Sequence, residues 1–133
     1  NPGIELALTP VVAGVPVKMI IDRVFEVNGQ LVICDLKTSQ QTPTSSLQLG
    51  FYKLGLEQTF GVEVNWGNYY MSRGSNTVEM VDLSQYTYDK MEYLVEGFDK
   101  ARKAGVFLPN TNNCQYRCGL TAHCQFSTKK EDK

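Results

Sequence analysis

The chain reads as a mixed α/β domain built on one sheet, and three features lead to that reading. Short β-branched runs alternate with turn formers over the first 37 residues. Two later segments, at about Ser45 to Phe60 and Tyr88 to Ala104, carry helical signals. The 133 residues, 42% of them hydrophobic, supply one core and not two independent ones.

Ile4 to Thr9 and Val15 to Glu26 are strand-like, with Pro10, Gly14 and Pro16 marking the join, so they are expected to form a hairpin. Asn28-Gly29 follows, a pair in which both residues accept positive φ, and it predicts a tight turn into a strand over Leu31 to Lys37. The polar stretch Thr38 to Thr44, with Pro43 and Ser or Thr caps, leads into a helix ended by Gly61 in the left-handed position. Strands are expected at Glu63 to Ser72 and Thr77 to Leu83, around a Gly74-Ser75-Asn76 turn. Met91, Leu94, Val95, Phe98 and Ala101 repeat with the helical period and predict one core-facing side, stopped by Gly105. Thr128 to Lys133 reads as a frayed charged tail, and residues 106–126 as a cysteine-bearing loop. No repeat is visible.

The net charge of −1 and pI near 5.8 provide no global attraction for nucleic acid, so any such contact needs a local basic surface or a bound cation. No apolar run of membrane-spanning length and no leader-like start is present, and a cytoplasmic location is expected.

The chemistry is concentrated in two strand ends. Asp22 in Ile21-Asp22-Arg23 and Asp35 in Asp35-Leu36-Lys37-Thr38 flank the Asn-Gly hairpin, so antiparallel pairing draws the carboxylates together. Lys37, two residues on, shares the face of Asp35. Crowded carboxylates repel unless a proton or a cation intervenes, and oxygen ligands favour Mg2+ or Mn2+. A metal beside a lysine points to phosphodiester hydrolysis. The alternative is a purely structural Asp–Lys or Asp–Arg ion pair.

These strands, followed by Gln48 and Tyr52 four residues apart on one helix face, resemble the PD-(D/E)XK nuclease superfamily in its RecB-type branch. That branch includes CRISPR-associated RecB-like exonucleases and phage recombination exonucleases. The resemblance runs from about Ile4 to the last cysteine. It implies a restriction-endonuclease-like core, a central mixed sheet flanked by helices with a C-terminal cysteine loop. It also implies a Mg2+- or Mn2+-dependent deoxyribonuclease, an exonuclease acting on single-stranded DNA or DNA ends in recombination or repair. Asp22, Asp35, Lys37, Gln48 and Tyr52 take the catalytic positions, with Asp22, Asp35 and the Leu36 carbonyl as metal ligands. Arg23, Thr38, Gln48 and Tyr52 are the implied substrate contacts. DNA is the implied partner, with a recombination or helicase protein as a further one and the oligomeric state open. A non-catalytic nucleic-acid-binding or structural module of the same fold is the alternative.

The family's acidic or histidine ligand on a helix before the first strand has no match here. Glu5, the only nearby acid, reads as a surface or substrate-side residue. The expectation is a single RecB-like nuclease domain over residues 1–133 that lacks its N-terminal helix, a fragment of a longer nuclease.

Cys114, Cys118 and Cys124 cluster, whereas Cys34 stands alone on a strand facing away from Asp35. Clustered thiols in a reducing compartment read as metal ligands rather than disulfides. By the same resemblance they imply three ligands of a [4Fe-4S] cluster, whose upstream fourth cysteine has no match. Zn2+ held by the three thiols and His123 is the alternative, although the adjacency of His123 and Cys124 makes that geometry awkward.

Overall fold

The computed structural model describes residues 4–39, 42–73, 79–111, 114 and 118–127. Residues 1–99 form one compact unit and residues 100–133 a second. The expected turn at Gly74-Ser75-Asn76 and the tail Thr128 to Lys133 lie outside the described residues.

In the first unit, β1 (Ile4–Leu8) pairs antiparallel with β4 (Met19–Val27), and the connection between them carries a small hairpin of β2 (Val11–Val12) and β3 (Val15–Pro16). The expected first hairpin therefore exists, with a two-strand excursion added. β4 turns through Asn28 and Gly29, whose φ angles of 52° and 76° are those the Asn-Gly pair foretold, into β5 (Gln30–Lys37). After α1 (Leu47–Phe60) the chain returns as β6 (Trp66–Met71), parallel to β5, and β7 (Met80–Asp82) closes the edge antiparallel to β6. The sheet order is β1-β4-β5-β6-β7, mixed as expected, with α2 (Tyr88–Lys103) following.

Helix α1 is apolar on more than one side because it is covered on more than one side. Leu49, Tyr52 and Leu56 meet Ile21, Val24, Ile33 and Leu83 of the sheet layer. Leu54 packs instead with Val12, Met91 and Val95, the last two from α2. Gly50 permits the approach of Tyr86, since a Cβ there would stand 2.6 Å from its ring. Met91 and Val95 are buried as their spacing predicts, but Phe98 is 63% exposed and is not among the residues of the second core layer.

The two ends of α1 differ in how they meet the expected capping. Gly61 ends α1 in the left-handed conformation (φ 64°) with its N–H donating to the Glu57 carbonyl, as predicted. At the other end the Ser46 hydroxyl does not cap the helix but bonds Tyr86 Oη at 2.7 Å, while Ser45 Oγ accepts from Leu47 N at 3.2 Å. Lys53, a surface residue by type, is buried: Nζ reaches Glu57 Oε1 (2.5 Å) and donates to the Val64 carbonyl (2.8 Å). Glu57 Oε1 in turn accepts from Val64 N (3.0 Å), so one ion pair pins the loop before β6 to the helix.

In the second unit the last turn of α2 closes on Gly105 (φ 70°); Cys114 N donates to the Thr111 carbonyl, and short turns follow at Leu120–His123 and Cys124–Ser127. Cys114 is buried, Cys118 exposed and Cys124 half-buried. No described helix is long and apolar enough to cross a membrane.

Candidate active site

The site forms where β4 leaves β5. Their ladder pairs Val24 with Ile33 and ends on Arg23 with Cys34, so Asp22 and Asp35 are the next residue on each strand beyond the last pair. No main-chain pairing continues past Arg23; instead the Asp22 carboxylate accepts from Leu36 N at 2.8 Å. A side-chain oxygen thus takes the place of the strand partner that β5 loses. Both N–H and C=O of a strand residue point to the same edge, so the Leu36 carbonyl faces the Asp22 side too.

The neighbouring strand is irregular at the same level. β1 pairs Ile4 with Arg23 and Leu6 with Ile21, and Glu5 between them has a left-handed φ of 48°. That conformation is uncommon for a residue with a Cβ and marks a local distortion across from Asp22. Ile21 and Val24, three residues apart, nevertheless both enter the same core, so β4 itself bends through Asp22 and Arg23.

Asp35 is only 2% exposed. Its Oδ2 lies 2.6 Å from Lys37 Nζ, close enough for an ion pair, yet the same oxygen has no partner in a hydrogen-bonding direction. The two observations agree if the contact is Coulombic and off the lone-pair axis. A buried carboxylate oxygen with an unused lone-pair direction beside a second carboxylate fits a divalent cation. Two carboxylates are a small set, and Mg2+ commonly accepts one or two together with water and substrate oxygens.

Lys37 Nζ also donates to Gln48 Oε1 at 2.9 Å, and Gln48 Nε2 donates to Tyr52 Oη at 2.9 Å. The ammonium has no lone pair, which fixes the amide orientation with its oxygen toward Lys37. Gln48 and Tyr52 follow the i, i+4 spacing on α1, so one helix face hands this chain of contacts to the strand ends. Burial pushes the Tyr52 hydroxyl above its usual range, opposed by the Gln48 contact and aided by the nearby carboxylates.

Tyr69 is the residue that reading the sequence missed. Parallel pairing sets it beside Asp35, its ring lies 5.9 Å from Lys37 Nζ, and its hydroxyl donates to the Ser45 carbonyl at 3.0 Å. Burial first, then Asp35, raise its pKa to about 12. The alternation of buried Gly67, Tyr69 and Met71 was a signal for a core-facing side of β6, but nothing local said which strand it would join.

The remaining expected residues divide. Thr38 lies exposed just beyond Lys37. Arg23 pairs with Cys34, on the face of β5 opposite Asp35, and is not gathered with the acids, because successive strand residues alternate faces. Cys34 is buried, and burial together with Asp35 raises its thiol pKa. Among the described residues no three His, Cys, Asp or Glu side chains converge as metal ligands, and this includes Cys114, Cys118, Cys124 and His123.

A mixed sheet whose acid-bearing strand end meets an acidic-x-Lys strand, backed by a Gln/Tyr helix, is the architecture of a nuclease core. The profile of the PD-(D/E)XK nuclease superfamily matches residues 2–125, and the chain belongs to that superfamily. It is similar to the Gene 69 protein of Mycobacterium phage D29, 30% identical over 131 residues that make up 93% of this chain and 48% of that protein. The Gene 69 protein of Mycobacterium phage L5 is likewise 30% identical, over 132 residues, with 93% and 44% covered. The chain therefore spans about half the length of these relatives. In fold it is similar to the crystal structure of SSO0001 (TM-score 0.60, 16% identity, 94% of this chain and 61% of that one). A candidate exonuclease from Eubacterium rectale is also similar (TM-score 0.53, 15% identity, 96% and 54%).

Proposed function

We propose that this chain carries the catalytic centre of a Mg2+- or Mn2+-dependent deoxyribonuclease, an exonuclease acting on single-stranded DNA or DNA ends in recombination or repair. The observation that supports it most is the buried Asp35 carboxylate, beside Lys37 and one strand from Asp22, with an oxygen left without a hydrogen bond. A module that only bound DNA would gain nothing from confining two acids there, since carboxylates repel phosphates. Membership of the superfamily and the similarity to a candidate exonuclease agree with it.

Asp22, Asp35 and the Leu36 carbonyl would hold the ion. When bound, it supplies a water of lowered pKa and neutralises charge on the phosphate. Lys37, clamped between Asp35 and Gln48, presents its ammonium to that water and to the scissile phosphate. Gln48 fixes where the ammonium points. Tyr52 stays protonated at neutral pH and, because it accepts from Gln48, keeps its own hydrogen for a phosphate oxygen. Thr38, exposed just beyond the end of β5, would meet the substrate backbone.

The test is incubation of end-labelled single- and double-stranded DNA with Mg2+ or Mn2+, comparing the wild type with Asp35→Asn. Loss of cleavage in the variant is expected. Equal degradation by both proteins would overturn the assignment.

We further infer [4Fe-4S] ligation by Cys114, Cys118 and Cys124, supported by their spacing in the sequence and not by a gathered geometry. Anaerobically purified protein should be brown with iron and sulfide present; colourless protein containing zinc would replace the cluster with the Zn2+ alternative.

A further inference from the structure

An open groove of about 730 Å³ lies within the first unit, its lining including Lys18, Ile20, Leu47, Gln48, Phe51 and Tyr52. Two of these, Gln48 and Tyr52, are the residues that continue the contacts from Lys37, so the groove opens onto the candidate catalytic centre. Five of its other residues, Val17, Met19, Ile20, Leu47 and Phe51, are apolar, and the single charged one is Lys18.

Phosphate binding does not explain such a surface. Phosphates are held by cations and polar hydrogens, and hydrocarbon walls offer them nothing. A nucleobase, in contrast, has an apolar face that stacks on aromatic and aliphatic side chains, and its edge remains free for an amide such as Gln48. A base inside a duplex has both faces covered by its neighbours and cannot enter a groove without being extruded. The volume lies in the range of sites that bury a small organic ligand.

We propose that this groove is the subsite for the unpaired base next to the scissile phosphate, with the half-buried Phe51 as stacking platform, Ile20 and Leu47 flanking it and Lys18 meeting the next phosphate along. The inference rests on the nuclease reading above and narrows its substrate to DNA that is single-stranded at the point of cleavage. Specificity for an unpaired strand would then reside in α1 and the start of β4, where two of the groove's residues already belong to the hydrolytic centre.

The experiment uses oligothymidylates carrying one abasic nucleotide, moved along the strand, with cleavage measured in Mn2+. For the wild type, the abasic position adjacent to the cut should lower kcat/KM by roughly 5- to 150-fold, the loss of one base stacked on protein. Phe51 also touches the second core layer, so Phe51→Leu, which keeps that contact, is paired with Ile20→Glu at an exposed lining residue. In both variants the abasic penalty should shrink toward none, a coupling that a merely structural effect does not produce. A wild-type enzyme that cleaves but shows no abasic penalty, or the same penalty in all three proteins, would overturn the groove and leave the nuclease reading standing. Should no cleavage occur at all, the nuclease reading fails, and anisotropy of labelled oligothymidylate in Ca2+ still decides the groove: binding to the single strand weakened by Ile20→Glu supports it. Equal binding to the matching duplex overturns it.

Discussion

Replacing Lys37 by Met removes the ammonium while keeping most of the side chain's volume, and two separate losses follow. Asp35 is almost wholly buried, and Lys37 is its only ion-pair partner among the described residues. Breaking a buried pair by removing one member costs about 3–5 kcal/mol. Because the lysine side chain is 27% exposed, water screens part of this, and about 2–3 kcal/mol is the better figure. For a domain of this length that corresponds to a fall in Tm of roughly 5–15 °C. A divalent ion takes over as counter-charge, so Mg2+ should raise the variant's Tm more than the wild type's; an ion present at 100 times its Kd contributes about 2.7 kcal/mol. Cleavage is a different matter, since an ion cannot replace the ammonium in the water-orienting role proposed for Lys37. A positioned acid–base group contributes about 10²–10⁴-fold, or roughly 3–5.5 kcal/mol in the barrier. The assays are thermal denaturation in EDTA and in Mg2+, and the rate of end-labelled single-strand degradation. A variant that melts like the wild type in EDTA and cleaves within a few-fold of its rate would refute both the counter-ion role and the catalytic one.

Two other outcomes follow from buried polar groups. Tyr69 has a folded pKa of about 12, above the value near 10 of an unfolded tyrosine, so its contribution to stability is complete below pH 10 and is lost as the pH rises toward 12. Tyr69→Phe should flatten that part of a denaturant-midpoint profile, and an unchanged profile would remove Tyr69 as its source. Lys53→Met leaves the Val64 carbonyl and Glu57 without their cation and should lower unfolding free energy by about 2–3 kcal/mol in urea titration. A loss below 0.5 kcal/mol would show that the pair contributes no net stability.

How far the fold could be read in advance depended on sequence distance. Asn28-Gly29 sets its own backbone conformation, so the β4–β5 hairpin and the approach of Asp22 to Asp35 needed only local geometry. Gly61 likewise announces the end of α1, and Gln48 and Tyr52 share a face by helical period alone. The parallel union of β5 and β6 is different. It joins segments separated by the whole of α1, and period-2 alternation in Tyr69 and Met71 tells which face is buried but not against which strand. Lys53 was unreadable for a similar reason: its burial depends on Val64 and Glu57 meeting it across the loop. Phe98 fitted the helical period of Met91 and Val95, yet it stays exposed, because period alone does not say how far a covering layer runs. The Ser46 hydroxyl went to Tyr86, a competitor 40 residues away that capping rules do not see.

The amino-acid order by itself determined the β4–β5 hairpin, the two helices, the placing of Asp22 and Asp35 at neighbouring strand ends and the lysine two residues on from Asp35, because each follows from backbone geometry over a few residues. Tertiary structure decided that Asp35 would be buried, that Arg23 would face away, that Tyr69 would flank the lysine and that a groove would open beside Gln48. Those features depend on which distant surfaces meet, and burial and electrostatic environment are properties of the assembled layers rather than of any one segment.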